Sequence, residues 1–224
     1  GRDAYFKTHK DYQIEDYKAA IKEGDIPKDY KVYWGHEDKV LYERAKKNLK
    51  KLSKEGKPFN LTMLTVDTHF PNGYICDLCE NKYDTTYGNA VACADRQVYD
   101  FVQWIKKQDF YEDTTIIIAG DHTSMVDTGS KFWKSLCNDY QRTVYNAIIN
   151  PQCAYKKKVT TKRKFSTMDM FPTTLAALGV EIDGNKLGLG TNLFSGEETL
   201  REELGANYIN KELKRNDKMY NQFY

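Results

Sequence analysis

The chain has 224 residues, 40% hydrophobic and 29% charged, with a formal net charge of +2 at neutral pH. That length supports one sizeable domain with a single core, or one and a half small ones. The near balance of charge excludes a strong pull on nucleic acid or on a membrane surface, and no run approaches the roughly 20 apolar residues that span a bilayer.

The first 30 residues are polar and rich in Tyr, with a short helix predicted over residues 13–23. Ile14, Tyr17 and Ile21 fall at helical spacing there, and Gly24 and Pro27 stop it. Residues 31–34 read as a brief strand. Residues 36–54 read as a strong helix, with Leu41, Ala45, Leu49 and Leu52 as its inward stripe and Lys and Glu between them as a solvated face. Residues 59–66 read as a buried strand that runs into Asp67, Thr68, His69, Phe70 and Pro71. A loop follows, and then a helix over residues 89–107 with Ala90, Ala94, Val98, Phe101, Val102 and Ile105 facing inward.

Residues 114–119 are β-branched and largely apolar, and they end at Gly120, Asp121 and His122. A short continuous run bounded by turn signals predicts a strand covered on both faces. Strand, helix and strand in that order predict a right-handed βαβ unit. Ligands of parallel sheets collect beyond the carboxyl ends of the strands. The His69 loop and the Asp121-His122 pair are therefore expected at one rim. A carboxylate beside an imidazole suits Mn²⁺, Zn²⁺ and similar cations. The bland alternative is a helix cap next to a surface His.

Residues 124–139 read as irregular. Residues 143–149 read as a further strand, at an edge because Pro151 closes it. The basic run 156–164 reads as a solvated hairpin. Residues 166–179 read as a helix, with Ser166 and Asp169 resembling a capping box, Pro172 near its start and Gly179 as the C′ residue. Residues 188–196 are turn-rich, and residues 197–224 read as a surface helix or tail.

Five Cys occur, at positions 76, 79, 93, 137 and 153. Cys76-x-x-Cys79 has no second pair at zinc-finger spacing. It sits in a loop rather than at the start of a helix after a strand, so a disulfide is favoured over a redox motif or half a zinc site. That in turn implies an oxidising compartment.

Four motifs, in order, carry a resemblance. They are Thr65-Val-Asp-Thr-His-Phe-Pro71, Gly120-Asp-His122, Thr167-Met-Asp-Met-Phe-Pro-Thr-Thr174 and Gly188-Leu-Gly-Thr-Asn-Leu193. The chain resembles the sulfatase branch of the alkaline-phosphatase superfamily. Within it, the phosphoglycerol transferases are nearest: the lipoteichoic acid synthases and, nearer still, the enzymes that modify periplasmic glucans. Residues 1–58 match more loosely, through Arg2-Asp3, Tyr33-Trp-Gly35 and Glu37-Asp38.

The resemblance implies an α/β fold, a mostly parallel sheet flanked by helices, incomplete because an amino-terminal half lies upstream. Residues 1–224 are then the carboxyl-terminal portion of one catalytic domain, with its core at about 31–196. It implies Asp121 and His122 as ligands of a divalent cation, Mn²⁺ before Mg²⁺ or Zn²⁺. It also implies His69 and Arg2 as contacts of the phosphoglycerol group, and a Cys79–Cys93 disulfide. The remaining Glu ligand and the nucleophilic Thr are expected upstream, since neither Thr68 nor Thr128 matches the nucleophile motif. The chain alone is thus expected to be inactive.

The implied reaction moves phosphoglycerol from a phosphatidylglycerol-like lipid, through a phospho-threonine, to an envelope glycan or a teichoic-acid-like polymer. It takes place at the outer or periplasmic membrane face, the protein being held there by upstream membrane spans. A sulfatase, a phosphoethanolamine transferase and a non-catalytic glycan- or headgroup-binding module are the competing expectations. Asp67 and Thr68 are expected to shape the loop before Pro71 through an Asx-type turn, and His9 and His36 to be surface residues.

Overall fold

The computed structural model describes residues 2–8, 12–136, 140–155 and 161–222. The chain divides into two compact units, one formed by residues 1–109 and 122–143, the other by residues 110–121 and 144–224.

The first unit is built on helices. α1 spans Arg2–Thr8 and α2 spans Tyr17–Lys22. Asp16 caps α2 by accepting a hydrogen bond from the Ala19 N–H at 2.9 Å. α3, Asp38–Lys54, and α4, Thr86–Ile105, pack on one another. Ala45 and Leu49 of α3 and Ala90, Cys93, Phe101, Val102 and Ile105 of α4 are buried. The Tyr42 and Phe101 rings meet at 5.1 Å between centroids. Each large side chain buried in this way contributes about 1.5–3 kcal/mol, and this seam outweighs the modest intrinsic propensity of either helix.

Thr85 starts α4 by accepting from the Gly88 N–H at 3.1 Å. Arg44, buried on α3, pairs with Glu15, Glu23 and Asp25, which flank α2 on both sides. Lys47 also pairs with Asp25 and, with Arg44, holds the Asp25 carboxyl below its ordinary range. A charge that deep persists because several carboxylates surround it. A short helix α5, Lys131–Lys134, is capped by Ser130, whose hydroxyl accepts from the Trp133 N–H at 3.1 Å.

The second unit holds two small sheets. β1, Ile116–Ala119, pairs antiparallel with β2, Asn146–Ile149, with Ile116 opposite Ile149 and Ile118 opposite Ala147. Asn150 fastens the turn before β1 by donating to the carbonyls of Tyr111, Glu112 and Thr114. Ser166 and Asp169 form a capping box ahead of a 3₁₀ turn at Thr167–Asp169, which leads into α6, Met170–Ala177. Pro172 lies in the first turn of α6, where its absent N–H leaves no partner wanting. Gly179 follows at φ +83°, the left-handed closure expected of it. β3, Lys186–Leu187, and β4, Gly190–Thr191, make a two-residue hairpin. α7, Leu200–Leu204, and α8, Ala206–Leu213, complete the unit.

The expected mostly parallel sheet is therefore not what forms. Residues 59–66 belong to no strand, so no βαβ unit exists among the described residues. The two sheets are both antiparallel and two-stranded, and helix dominates. An apolar run reports that a segment is covered; it does not name the strand that covers it. In residues 59–66, Leu61 and Met63 are half-buried while Leu64 is exposed, and β1 and β2 are half-buried rather than enclosed. Residues 31–34 likewise give only an isolated bridge between Val32 and Gly35, with Tyr33 at φ +52°. Residues 156–160 of the basic run, and 137–139, lie outside the described residues. No helix among the described residues is long and apolar enough to cross a membrane.

Candidate functional site

β1 ends at Ala119, and the Gly120 N–H carries the ladder one step further by donating to the Tyr145 carbonyl at 2.8 Å. Asp121 and His122 follow, both exposed. The His122 Nδ1 lies 2.9 Å from the Thr123 carbonyl oxygen. A carbonyl can only accept, so Nδ1 bears the proton. In the neutral ring Nε2 is then the nitrogen with the lone pair, the tautomer that ligates a cation. Asp121, the preceding residue, carries an exposed carboxylate, a hard oxygen donor.

His69 sits in the turn 66–74, where its own N–H bonds to the Val66 carbonyl and its carbonyl accepts from Gly73. Its Nδ1 lies 2.6 Å from the Phe70 carbonyl, which fixes the same tautomer as in His122. The Trp34 ring lies 3.9 Å from the imidazole, centroid to centroid. Tyr33 stacks on Tyr74 at 5.6 Å and donates its hydroxyl to the His69 carbonyl at 2.9 Å. Trp34 is 59% exposed, so the cradle presents an aromatic face to solvent. These three aromatics come from two segments far apart in sequence, and no local spacing announces them.

Asp67 departs from the turn role expected of it. In place of an Asx turn, its side chain is buried, with neither carboxylate oxygen hydrogen-bonded among the described residues. Its backbone does the holding: its N–H donates to Asp38 and its carbonyl accepts from Tyr74 at 2.8 Å. Burial, then the nearby Asp38 carboxylate, pushes the Asp67 carboxyl up to about 7. Burial raises Asp38 as well, against two backbone N–H bonds, from Val66 at 2.7 Å and Asp67 at 3.2 Å, that favour its charged form.

Cys79 and Cys93 are disulfide-bonded, joining the loop to α4. Cys76 stays a buried thiol, so the pairing within Cys76-x-x-Cys79 favoured by spacing alone is not the one formed. Among the described residues, Cys76, Cys79 and Cys93 are the one group of three or more His, Cys, Asp or Glu side chains whose donor atoms lie within 4.8 Å of one another, and the Cys79–Cys93 bond leaves a single thiol there. Arg2 opens α1, but its side chain lies outside the described residues, as does His9. His36 is half-buried, its Nδ1 3.3 Å from the Glu37 carbonyl.

The family model described as Sulfatase matches residues 3–180. Phosphoglycerol transferase I of Salmonella choleraesuis (strain SC-B67) is 32% identical over 206 residues, which cover 88% of this chain and 25% of that protein. Phosphoglycerol transferase I of Shigella flexneri gives the same figures. That of Escherichia coli O157:H7 (strain EC4115 / EHEC) is again 32% identical over 206 residues, with the same coverage. The chain thus spans about a quarter of the length of the curated relatives it matches. No solved structure gives a significant match.

Proposed function

The chain belongs to the sulfatase family, and from that premise we propose that it supplies cation-binding and substrate-binding groups to a phosphoglycerol transferase. The reaction would move phosphoglycerol from a phosphatidylglycerol-like lipid to an envelope glycan or polyglycerolphosphate chain, on the outer or periplasmic face of the membrane. Residues 1–224 would be the carboxyl-terminal portion of the catalytic domain. The observation that carries the reading is the imidazole of His122, held by the Thr123 carbonyl in the ligating tautomer one residue after Asp121. That the three relatives are phosphoglycerol transferases supports the group transferred.

Asp121 would give a hard anionic oxygen and His122 a neutral nitrogen to a divalent cation. A bound Mn²⁺ supplies a Lewis acid that draws charge from a phosphoryl oxygen and lowers the pKa of a hydroxyl nucleophile. That hydroxyl, a Thr in the proposed phospho-enzyme step, would come from the part of the relatives this chain does not span. His69, with Nδ1–H committed to Phe70, offers Nε2 to the donor group. It accepts from a glycerol hydroxyl when neutral and donates to a phosphate oxygen when protonated. Arg2 would meet the same phosphate.

Isothermal titration of Mn²⁺ into the chain tests the ligand assignment. Asp121→Ala and His122→Ala should each abolish the uptake, while His69→Ala should leave it intact and lose glycerol phosphate instead. Unchanged Mn²⁺ uptake in both ligand variants would remove the cation reading. The exposed Trp34 beside His69 favours a second reading, a glycan- or headgroup-binding module, and that would show as glycan binding with no Mn²⁺ dependence.

A further inference from the structure

The loop after His69 and helix α4 bring together three sulfurs where a disulfide needs two. Cys76, Cys79 and Cys93 have their Sγ atoms within 4.8 Å of one another. Cys79 and Cys93 are bonded, and the Cys76 Sγ lies 3.6 Å from the Cys79 Sγ. The turn holds that approach: the Cys79 N–H donates to the Cys76 carbonyl at 3.1 Å, and the Cys76 N–H points at the Cys79 Sγ at 3.2 Å. Gln97, one turn along α4, places its side-chain Nε2 3.7 Å from the Cys93 Sγ.

We propose that Cys76 is a built-in exchange thiol, so that the loop alternates between a Cys79–Cys93 and a Cys76–Cys79 disulfide. The Cys76 thiolate bonds to the Cys79 Sγ, the Cys79–Cys93 bond breaks, and its electron pair leaves on Cys93. The proton lost by Cys76 is returned to Cys93, so nothing is oxidised or reduced overall. The Gln97 amide N–H is placed to meet the sulfur that takes up the charge. The first pairing ties the loop to α4; the second closes it on itself and frees the helix. This exchange is independent of the cation reading and would survive its failure.

The groups around Cys76 set the pace. Burial holds its thiol protonated, and the Asp67 and Asp77 carboxylates act the same way; the Leu78 N–H and the Lys39 ammonium oppose them. Exchange is therefore slow near neutrality and accelerates about tenfold per pH unit until the thiol ionises.

Disulfide mapping by mass spectrometry tests this on the unaltered chain. The chain is equilibrated with a trace of reduced glutathione at mildly alkaline pH, quenched in acid and alkylated. The expected result is two populations, one with Cys79 joined to Cys93 and one with Cys79 joined to Cys76 and Cys93 alkylated. Cys76→Ser should cut Cys93 alkylation by about tenfold or more. Cys93→Ala treated with glutathione disulfide should yield the Cys76–Cys79 bond. If Cys79 is found joined to Cys93 alone at every pH, or to Cys137 or Cys153, the proposal is overturned. That result on the unaltered chain decides the matter even if a variant fails to fold.

Discussion

Gly190 packs so closely on the backbone of Met168 that a Cβ at that position would lie 2.0 Å from the Met168 carbonyl oxygen. Around this contact, two of the four motifs that carry the family resemblance lock together. The Asp169 carboxylate accepts from the Thr191 N–H at 2.8 Å, and the Thr173 hydroxyl accepts from the Leu193 N–H at 3.0 Å while donating to the Asp169 carbonyl at 2.6 Å. Asp169, Thr173 and Thr191 are all buried. The stretches 167–174 and 188–193 are thus scaffold.

Gly190→Ala should destabilise the second unit by about 3 kcal/mol or more, because backbone cannot yield as a side-chain tip can. All three Trp lie in the first unit. Hydrogen exchange at α6 reports the damage, while Trp fluorescence follows the first unit. Wild-type protection at α6 in the variant would show that the backbone relaxes freely.

Glu202 and Arg163 provide a second test in the same unit. The guanidinium meets the carboxylate through two bonds of 2.7 and 2.8 Å, and Glu202 also accepts from the Thr199 N–H at 3.0 Å within a capping box. Chiefly the Arg163 bond pulls the Glu202 carboxyl down from 4.5 to about 2. A depressed carboxyl contributes stability that is complete above its unfolded value and lost as pH falls through the folded one. The contribution should therefore disappear between about 4.5 and 2. Glu202→Ala at neutral pH should cost about 1.5–3 kcal/mol, since it removes a charge-assisted pair and leaves the guanidinium to carbonyl partners such as Leu193 and Glu197. Urea unfolding followed by exchange at α7 measures it, and a loss under 1 kcal/mol would mean the pair is effectively solvated.

Asp67 has the opposite sign. Its carboxyl is raised from 3.8 to about 7, so between those values the folded chain keeps a proton that the unfolded chain has lost. Stability of the first unit should fall as pH rises through that window, by on the order of 1.4 kcal/mol per unit of raised pKa at most. Asp67→Asn removes the charge and keeps the shape. Its melting temperature should exceed that of the wild type above neutrality and match it in mild acid. Parallel pH profiles for the two proteins would place the carboxylate in contact with water.

How much of this was legible follows from how local each cause is. α3 and α4 announce themselves through apolar stripes, and the Ser166–Asp169 box through one cap and one carboxylate at the right interval. Even so, Gln97 is buried beside Cys93 of its own helix, and Arg44 is buried where charged residues usually face solvent, because its partners lie on another segment. The sheet was misread for the same reason. Ile116, Ile117 and Ile118 state that β1 exists, but nothing in them says that its partner is residues 146–149, antiparallel, rather than 59–66. Asp121 and His122 stood out through adjacency at a strand end. Tyr74 did not, and Tyr33 and Trp34 did so only through the looser match at 33–35, since the cradle around His69 exists only once residues 33–34 and 69–74 are folded together.

That cradle carries the last prediction. Trp34 is exposed yet rests on His69, so its indole both positions the imidazole and offers a flat apolar face beside it. Such a face suits the C–H side of a glycerol or a sugar ring, and an aromatic contact of this kind is worth about 0.5–1.5 kcal/mol. Trp34→Ala should therefore weaken glycerol phosphate binding about two- to tenfold, with Mn²⁺ uptake unchanged. Trp34→Phe should recover most of the loss, because the ring face rather than the indole N–H makes the contact. Proton NMR of the His69 ring separates the two roles: loss of its ring-current shift in Trp34→Ala with binding unaltered would assign the indole to positioning alone. If both variants lose Mn²⁺, His69 and Trp34 serve the cation, and the division of labour between the two loops is wrong.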